Sequence, residues 1–301
     1  MTTRKPALAL AAVPGRRART LELATEIEKK GFSGIYCASF GDGLGLCQAI
    51  AEATNTIHFG TAVVNIYTRH PSDYALTTAL IHELSGGRFR FGIGVSHRPV
   101  TDRLGLSTGK PLSDIRTFVD EWKGVARTGD QPPIVLAALR RKMVALGGEI
   151  ANGIVYANVS RSHLKKSLSA LSDEKRSDPK FFVGNMIPTC ISSDREAAAA
   201  VNRKTLSGYV QLPNYRNVWK EAGYVEEMSG IEEAITQGEP QRIGEFMTER
   251  WLSDCTLFGS PSEVREGLEA FYDAGINAPI LVPSSAAGNQ MKAFQELFEI
   301  F

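Results

Sequence analysis

The chain has 301 residues, 43% hydrophobic and 22% charged, enough to bury a full core. Its 34 basic and 33 acidic side chains nearly cancel, which argues against a nucleic-acid or anionic-membrane partner, and no apolar run approaches the roughly 18 residues that cross a bilayer. The four cysteines, Cys37, Cys47, Cys190 and Cys255, form no CxxC pair and no zinc spacing, a usage that fits a reducing cytoplasm.

Apolar, β-rich runs alternate with helical periods. Residues 7–13 (ALALAAV) read as a first strand: the run is short for a secretory leader, and Pro14-Gly15-Arg16-Arg17 is a poor cleavage site. A helix over 18–30 follows, with Leu23 and Ile27 on one face and Gly31 closing it. Strand 34–38 leads to helix 43–54, and strand 57–64 to helix 71–84, opened by Pro71. After the turn Ser85-Gly86-Gly87 come strand 88–94, a loop, and helix 112–127 with Ser113 or Asp114 near its start. Strand 133–138 precedes helix 140–150, strand 153–158 precedes helix 160–173, and strand 181–190 precedes helix 193–208, capped by Ser193 or Asp194. Residues 211–250 are polar and helical in period, with no clear strand. Pro261 opens helix 262–274, strand 278–283 is the last, and helix 287–300 closes the chain.

The strands are continuous apolar runs, the mark of parallel strands buried on both faces. Eight such βα units predict an α/β fold: one (β/α)8 TIM-barrel domain over 1–301, with 211–250 as a helical insertion over the barrel mouth before the last strand. An open doubly wound sheet is the alternative architecture.

In a barrel of this kind the chemistry lies beyond the C-terminal strand ends. Those positions hold Ser39, Phe40 and Asp42; then Asn65, Tyr67, Arg69 and His70; then Val95, Ser96, His97 and Arg98; then Leu139, Arg140, Arg141 and Lys142. Three cations in the first turn of a helix oppose its dipole unless an anion neutralises them, so Arg140–Lys142 reads as a phosphate site, with a solvated basic turn as the other reading. Gly92-Ile93-Gly94 is half a dinucleotide fingerprint: the glycines let a planar cofactor approach or simply relieve crowding at a strand end. His97 is a proton donor or a loop histidine that positions backbone. The five histidines form no metal pair, so no metal is expected. No GxSxG elbow or Walker motif supports hydrolysis or nucleoside triphosphate binding.

Gly60–Pro71 (GTAVVNIYTRHP), His82–Arg88 (HELSGGR) and Phe91–Pro99 (FGIGVSHRP), in this order, resemble the luciferase-like monooxygenase superfamily. The nearest likeness is to its deazaflavin (coenzyme F-420)-dependent branch, which includes methylenetetrahydromethanopterin reductase. Val135–Leu139 with Lys142-Met143, and Leu212–Asn217 (LPNYRN), fit one subgroup, and the likeness runs over about residues 7–283. The resemblance implies a non-prolyl cis peptide at Ala62–Val63 supporting a cofactor ring; Asn65, a cofactor-binding candidate, is expected with Ser39 and His97 to shape the face where substrate stacks. It also implies cofactor phosphate near Gly94, Val95 and Ser96 and at the helix start Ala138, Leu139, Arg140 and Arg141. Two departures stand out. Ser39 and Phe40 occupy positions where that branch commonly has an acidic residue and a histidine, which questions a proton relay there, and Arg140-Arg141 replaces Gly-Pro.

Three functions follow as expectations. The first is hydride transfer between deazaflavin and a small organic substrate, with Ser39 and His97 as the catalytic candidates. The second is an FMN-dependent monooxygenase on the same fold. The third is a non-catalytic flavin-binding homologue. The resemblance also implies a homodimer paired through outer helices.

Overall fold

The computed structural model describes residues 4–39 and 41–301, so Phe40 lies outside the described residues. The strands are β1 (Ala7–Leu10), β2 (Gly34–Ala38), β3 (His58–Ala62), β4 (Val64–Asn65), β5 (Phe89–Gly94), β6 (Ile134–Ala137), β7 (Gly153–Ala157), β8 (Phe182–Ile191), β9 (Leu257–Gly259) and β10 (Ala278–Ser284). They form one sheet in the order β10-β1-β2-β3-β5-β6-β7-β8-β9, with β4 on β5 and a further β10–β8 pairing that closes the ring. The β1–β2, β2–β3, β3–β5, β5–β6, β6–β7 and β8–β9 ladders are all parallel. This is a closed eight-stranded (β/α)8 barrel, not the open sheet.

All eight expected strands are present. The two additional ones are too short for periodicity to reveal: β4 continues β3 past an interruption, and β9 adds to β8 beside Thr189, Cys190 and Ile191. Helix Pro71–Leu84 has its expected bounds, and Asp194 caps Arg195–Leu206 by accepting from the Ala197 amide. Other helices differ from expectation. An unforeseen turn of helix, Arg98–Arg103, follows β5. The next helix is Pro111–Lys123, with Ser113 and Asp114 near its start as expected; it begins one residue early, at Pro111, because proline at the first turn needs no N–H partner, and ends four residues short of 127. The expected helix 160–173 is instead a 3-10 turn, Arg161–His163, then Leu164–Leu168, with a separate Asp173–Ser177. Residues 211–250 hold helices Pro213–Glu221 and Val225–Thr236, the 3-10 run Pro240–Phe246, and the start of Glu249–Cys255.

By compactness the chain divides into two units, Met1–Val155 with Ala170–Gly184 and Tyr156–Ser169 with Asn185–Phe301. In the first, Tyr74, Phe91, Phe118 and Trp122 pack together behind β5, their centroids 5.6 to 6.5 Å apart. In the second, Tyr215, Trp219 and Trp251 form a chain of ring contacts, and the Trp219 indole donates to the Asn158 carbonyl at 3.0 Å. Tyr215 is buried in that cluster as packing. The four cysteines are free and buried. No helix among the described residues is long and apolar enough to cross a membrane.

Candidate functional site

The ladder between β3 and β5 breaks where the chemistry is expected. Gly60 pairs with Arg90, but the next pair, Val64 with Ile93, lies four residues on along one strand and three along the other. One extra residue therefore bulges from the β3–β4 side. The Ala62–Val63 peptide within this bulge is cis, as the resemblance implied.

Two hydroxyls hold the bulge. Thr61 Oγ1 donates to the Gly92 carbonyl at 2.7 Å and accepts from the Gly92 amide at 2.9 Å, so one side chain replaces the missing ladder bonds. Ser39 Oγ donates to the Val63 carbonyl at 2.7 Å and accepts from its amide at 3.3 Å. With its hydrogen committed to Val63, the Ser39 hydroxyl acts as a brace on the bulge. Sequence reasoning missed Thr61: a threonine inside an apolar strand carries no signal until the register is known.

The glycines of the β5 end serve close packing. A Cβ on Gly92 would collide with the Thr61 carbonyl, and one on Gly94 would lie 2.9 Å from Val63 Cγ2 and 3.0 Å from Ala137 Cβ. These contacts favour the crowding reading of the glycine pair, and they place Val63, Gly94 and the end of β6 side by side.

Asn65 pairs with Gly94 and is held tightly. Its main-chain carbonyl accepts from the Tyr74 hydroxyl at 2.7 Å and from Thr68 Oγ1 at 2.8 Å. Its side-chain oxygen accepts from the Tyr67 amide at 3.0 Å. The side-chain nitrogen, Nδ2, is buried with no partner among the described residues. A buried donor left unpaired costs about 1–3 kcal/mol, so this amide suits an acceptor oxygen brought by a ligand.

Beyond β5 the chain enters the left-handed region at Ser96, φ 63°. Such conformations are uncommon without glycine and recur where backbone N–H groups turn together toward an anion. His97 begins Arg98–Arg103 without capping it through its side chain, and burial lowers its pKa, favouring the neutral imidazole at pH 7. After β6, Ala138 is buried and donates from its amide to Val155, and Leu139 leads to Arg140, the cap residue of helix Arg141–Ile150. No acidic residue stands in that first turn, where Arg140, Arg141 and Lys142 are exposed.

Unpaired amide, left-handed turn and cationic helix start come from three adjacent strand ends. They fit a planar ring carrying a carbonyl oxygen and an anionic tail. No group of three or more His, Cys, Asp or Glu side chains that could hold a metal occurs among the described residues.

The sequence model of the luciferase-like monooxygenase family matches residues 2–278. The chain belongs to this family. The luciferase-like chain is 24% identical over 300 residues to 5,10-methylenetetrahydromethanopterin reductase of Methanolobus tindarius, covering 89% of this chain and 90% of that protein. Its fold is similar to the coenzyme F420-dependent tetrahydromethanopterin reductase of Methanopyrus kandleri, with TM-score 0.78, 18% identity and 98% of both chains covered. It is also similar to an F420-dependent secondary alcohol dehydrogenase in complex with an F420-acetone adduct, with TM-score 0.71, 16% identity and coverage of 99% of this chain and 98% of the other.

Proposed function

We propose that this luciferase-like protein is an oxidoreductase that transfers a hydride between deazaflavin coenzyme F-420 and a small organic substrate. The observation that carries the reading is the unpaired Asn65 amide beside the bulge at Val63, next to the rim occupied by Gly94. The names of the relative and of the two similar structures support the choice of deazaflavin. That coenzyme, when bound, supplies the hydride-carrying ring; the protein's part is to bind, orient and exclude water.

Ala62 and Val63 offer the ring a firm backing, braced by Ser39 and Thr61. Asn65 donates to a ring carbonyl. Gly94, Val95 and Ser96, with Ala138, Leu139, Arg140 and Arg141, receive the phosphate and its negative tail. Ser39 serves as a positioning residue, and His97, neutral and half-buried, is the candidate for holding a proton near the substrate. The whole 301-residue chain is read as one barrel domain with 211–250 as its helical insertion.

Titration of the apoprotein with deazaflavin and with FMN, followed by absorbance, tests the proposal. Saturable deazaflavin binding with weak or no FMN binding is the expected result. Tight FMN binding without deazaflavin binding would replace it with the monooxygenase reading. Binding without turnover under any reductant would leave a non-catalytic homologue.

The protein is further proposed to act as a cytoplasmic homodimer. Leu76, Leu80 and Leu84, every fourth residue of helix Pro71–Leu84, are 57%, 47% and 46% exposed and form an apolar stripe of the kind that marks an interface. Sedimentation at about twice the chain mass, lost in Leu80→Glu, is the expected outcome; a monomeric wild type refutes it.

A further inference from the structure

Asp114, near the start of helix Pro111–Lys123, has no part in the function proposed above, yet its carboxylate joins two separate segments. Its Oδ2 accepts from the Tyr67 hydroxyl at 2.6 Å and from the Gly109 amide at 2.8 Å. Tyr67 stands just past β4, and Gly109 lies near the end of the largely exposed loop 104–110. The approach is close: a Cβ at residue 109 would lie 2.6 Å from Asp114 Oδ1, so the carboxylate would have to shift to accommodate one. Burial and the neighbouring Asp114 carboxylate raise the Tyr67 pKa, so its hydroxyl keeps its hydrogen and remains a donor.

The same tyrosine orients the ligand-facing amide. The Tyr67 N–H donates to Asn65 Oδ1 at 3.0 Å, and a donor there requires the oxygen of the amide, which sends Nδ2 the other way, to the buried and unpartnered position. A chain of contacts thus runs from the loop through Asp114 and Tyr67 to the Asn65 side chain.

We propose that Asp114 is a positioning residue: by holding Tyr67 and Gly109 it latches the loop 104–110 to the end of β4 and fixes the Asn65 amide for its ligand. Only the ligand half of this inference rests on the deazaflavin reading.

Trypsin separates the two halves. Arg98 and Lys110 each precede a proline, so Arg103–Leu104 is the one readily cleaved bond between residues 98 and 111. In the cofactor-free protein, Tyr67→Phe and Asp114→Ala are expected to speed cleavage at that bond about tenfold, the size expected for losing hydrogen bonds to a charged group. Both should weaken deazaflavin binding about tenfold and reduce the absorbance change that accompanies it. Asp114→Asn keeps an oxygen acceptor for Tyr67 and Gly109 and should restore cleavage resistance, affinity and spectrum. Tyr67→Phe removes a single hydroxyl, which guards against a variant that merely fails to fold. Cleavage within twofold of wild type in both variants, or no rescue by Asp114→Asn, overturns the latch. A wild type that binds no deazaflavin overturns the functional reading instead, while the cleavage rates still decide the latch.

Discussion

The two ends of the β3–β5 pair treat their polar groups in opposite ways. At the N-terminal end the Arg88 guanidinium is buried and makes five hydrogen bonds, to the carbonyls of Ser85, Ile57, Ala51 and Thr54 and to Thr54 Oγ1. It also lies 5.3 Å from the centre of the Phe59 ring. At the C-terminal end the Asn65 side-chain nitrogen is buried with no partner among the described residues, and just past β5 Ser96 takes a left-handed conformation. The first arrangement spends every donor inside the protein and stabilises it. The second leaves the Asn65 donor for something else to accept. Two polar side chains of one strand pair thus differ: Arg88 holds the fold, and Asn65 offers a donor to a ligand.

The contrast can be broken most forcefully at Arg88. Arg88→Ala strips partners from four buried carbonyls and a hydroxyl, and should cost about 3–5 kcal/mol, lowering the melting temperature by roughly 10 °C. Deazaflavin affinity of the folded variant should stay near wild type. A thermal melt alongside a titration checks both, and a selective loss of binding would erase the division between the two ends.

Thr61→Val acts where the two ends meet. It leaves the Gly92 amide and carbonyl without their side-chain partner, which should cost about 2 kcal/mol and, unlike the change at Arg88, weaken cofactor binding as well. Urea unfolding and titration of the same preparation would show whether stability and affinity fall together. A stable variant with unchanged affinity would mean that the bulge does not depend on this hydroxyl.

His97 gives the smallest effect. Burial lowers its pKa in the folded protein, whereas the unfolded chain takes up the proton near pH 6.5. The folded state therefore binds fewer protons between the two values, and stability declines as pH falls below about 6.5. His97→Gln should flatten part of that decline in urea midpoints measured between pH 7.5 and pH 5.5, values chosen to straddle about 6.5. Parallel pH profiles for variant and wild type would remove His97 from the list of buried neutral groups.

Most of the barrel was legible beforehand because strands buried on both faces must be apolar throughout, and eight such runs stood between helical periods. Proline and an acidic cap made helix boundaries readable at Pro71 and Asp194. The rule that strand ends carry the site made Asn65, Ser96 and Arg140 candidates before any register was known, and the glycine pair added Gly94. What escaped notice lacked a local signal. Strand β9 has three residues, helix Arg98–Arg103 has six, and Thr61 differs from any other strand threonine only in its partner.

The sequence by itself determined the order of elements and the apolar surfaces that drive them together, because burial and periodicity are written residue by residue. Only the tertiary structure decided the register between β3 and β5, and with it the bulge at Val63, the commitment of Ser39 and Thr61 to backbone, and the orientation of the Asn65 amide. These depend on which groups meet across segments distant in the chain, and a hydrogen bond exists only once both partners are in place.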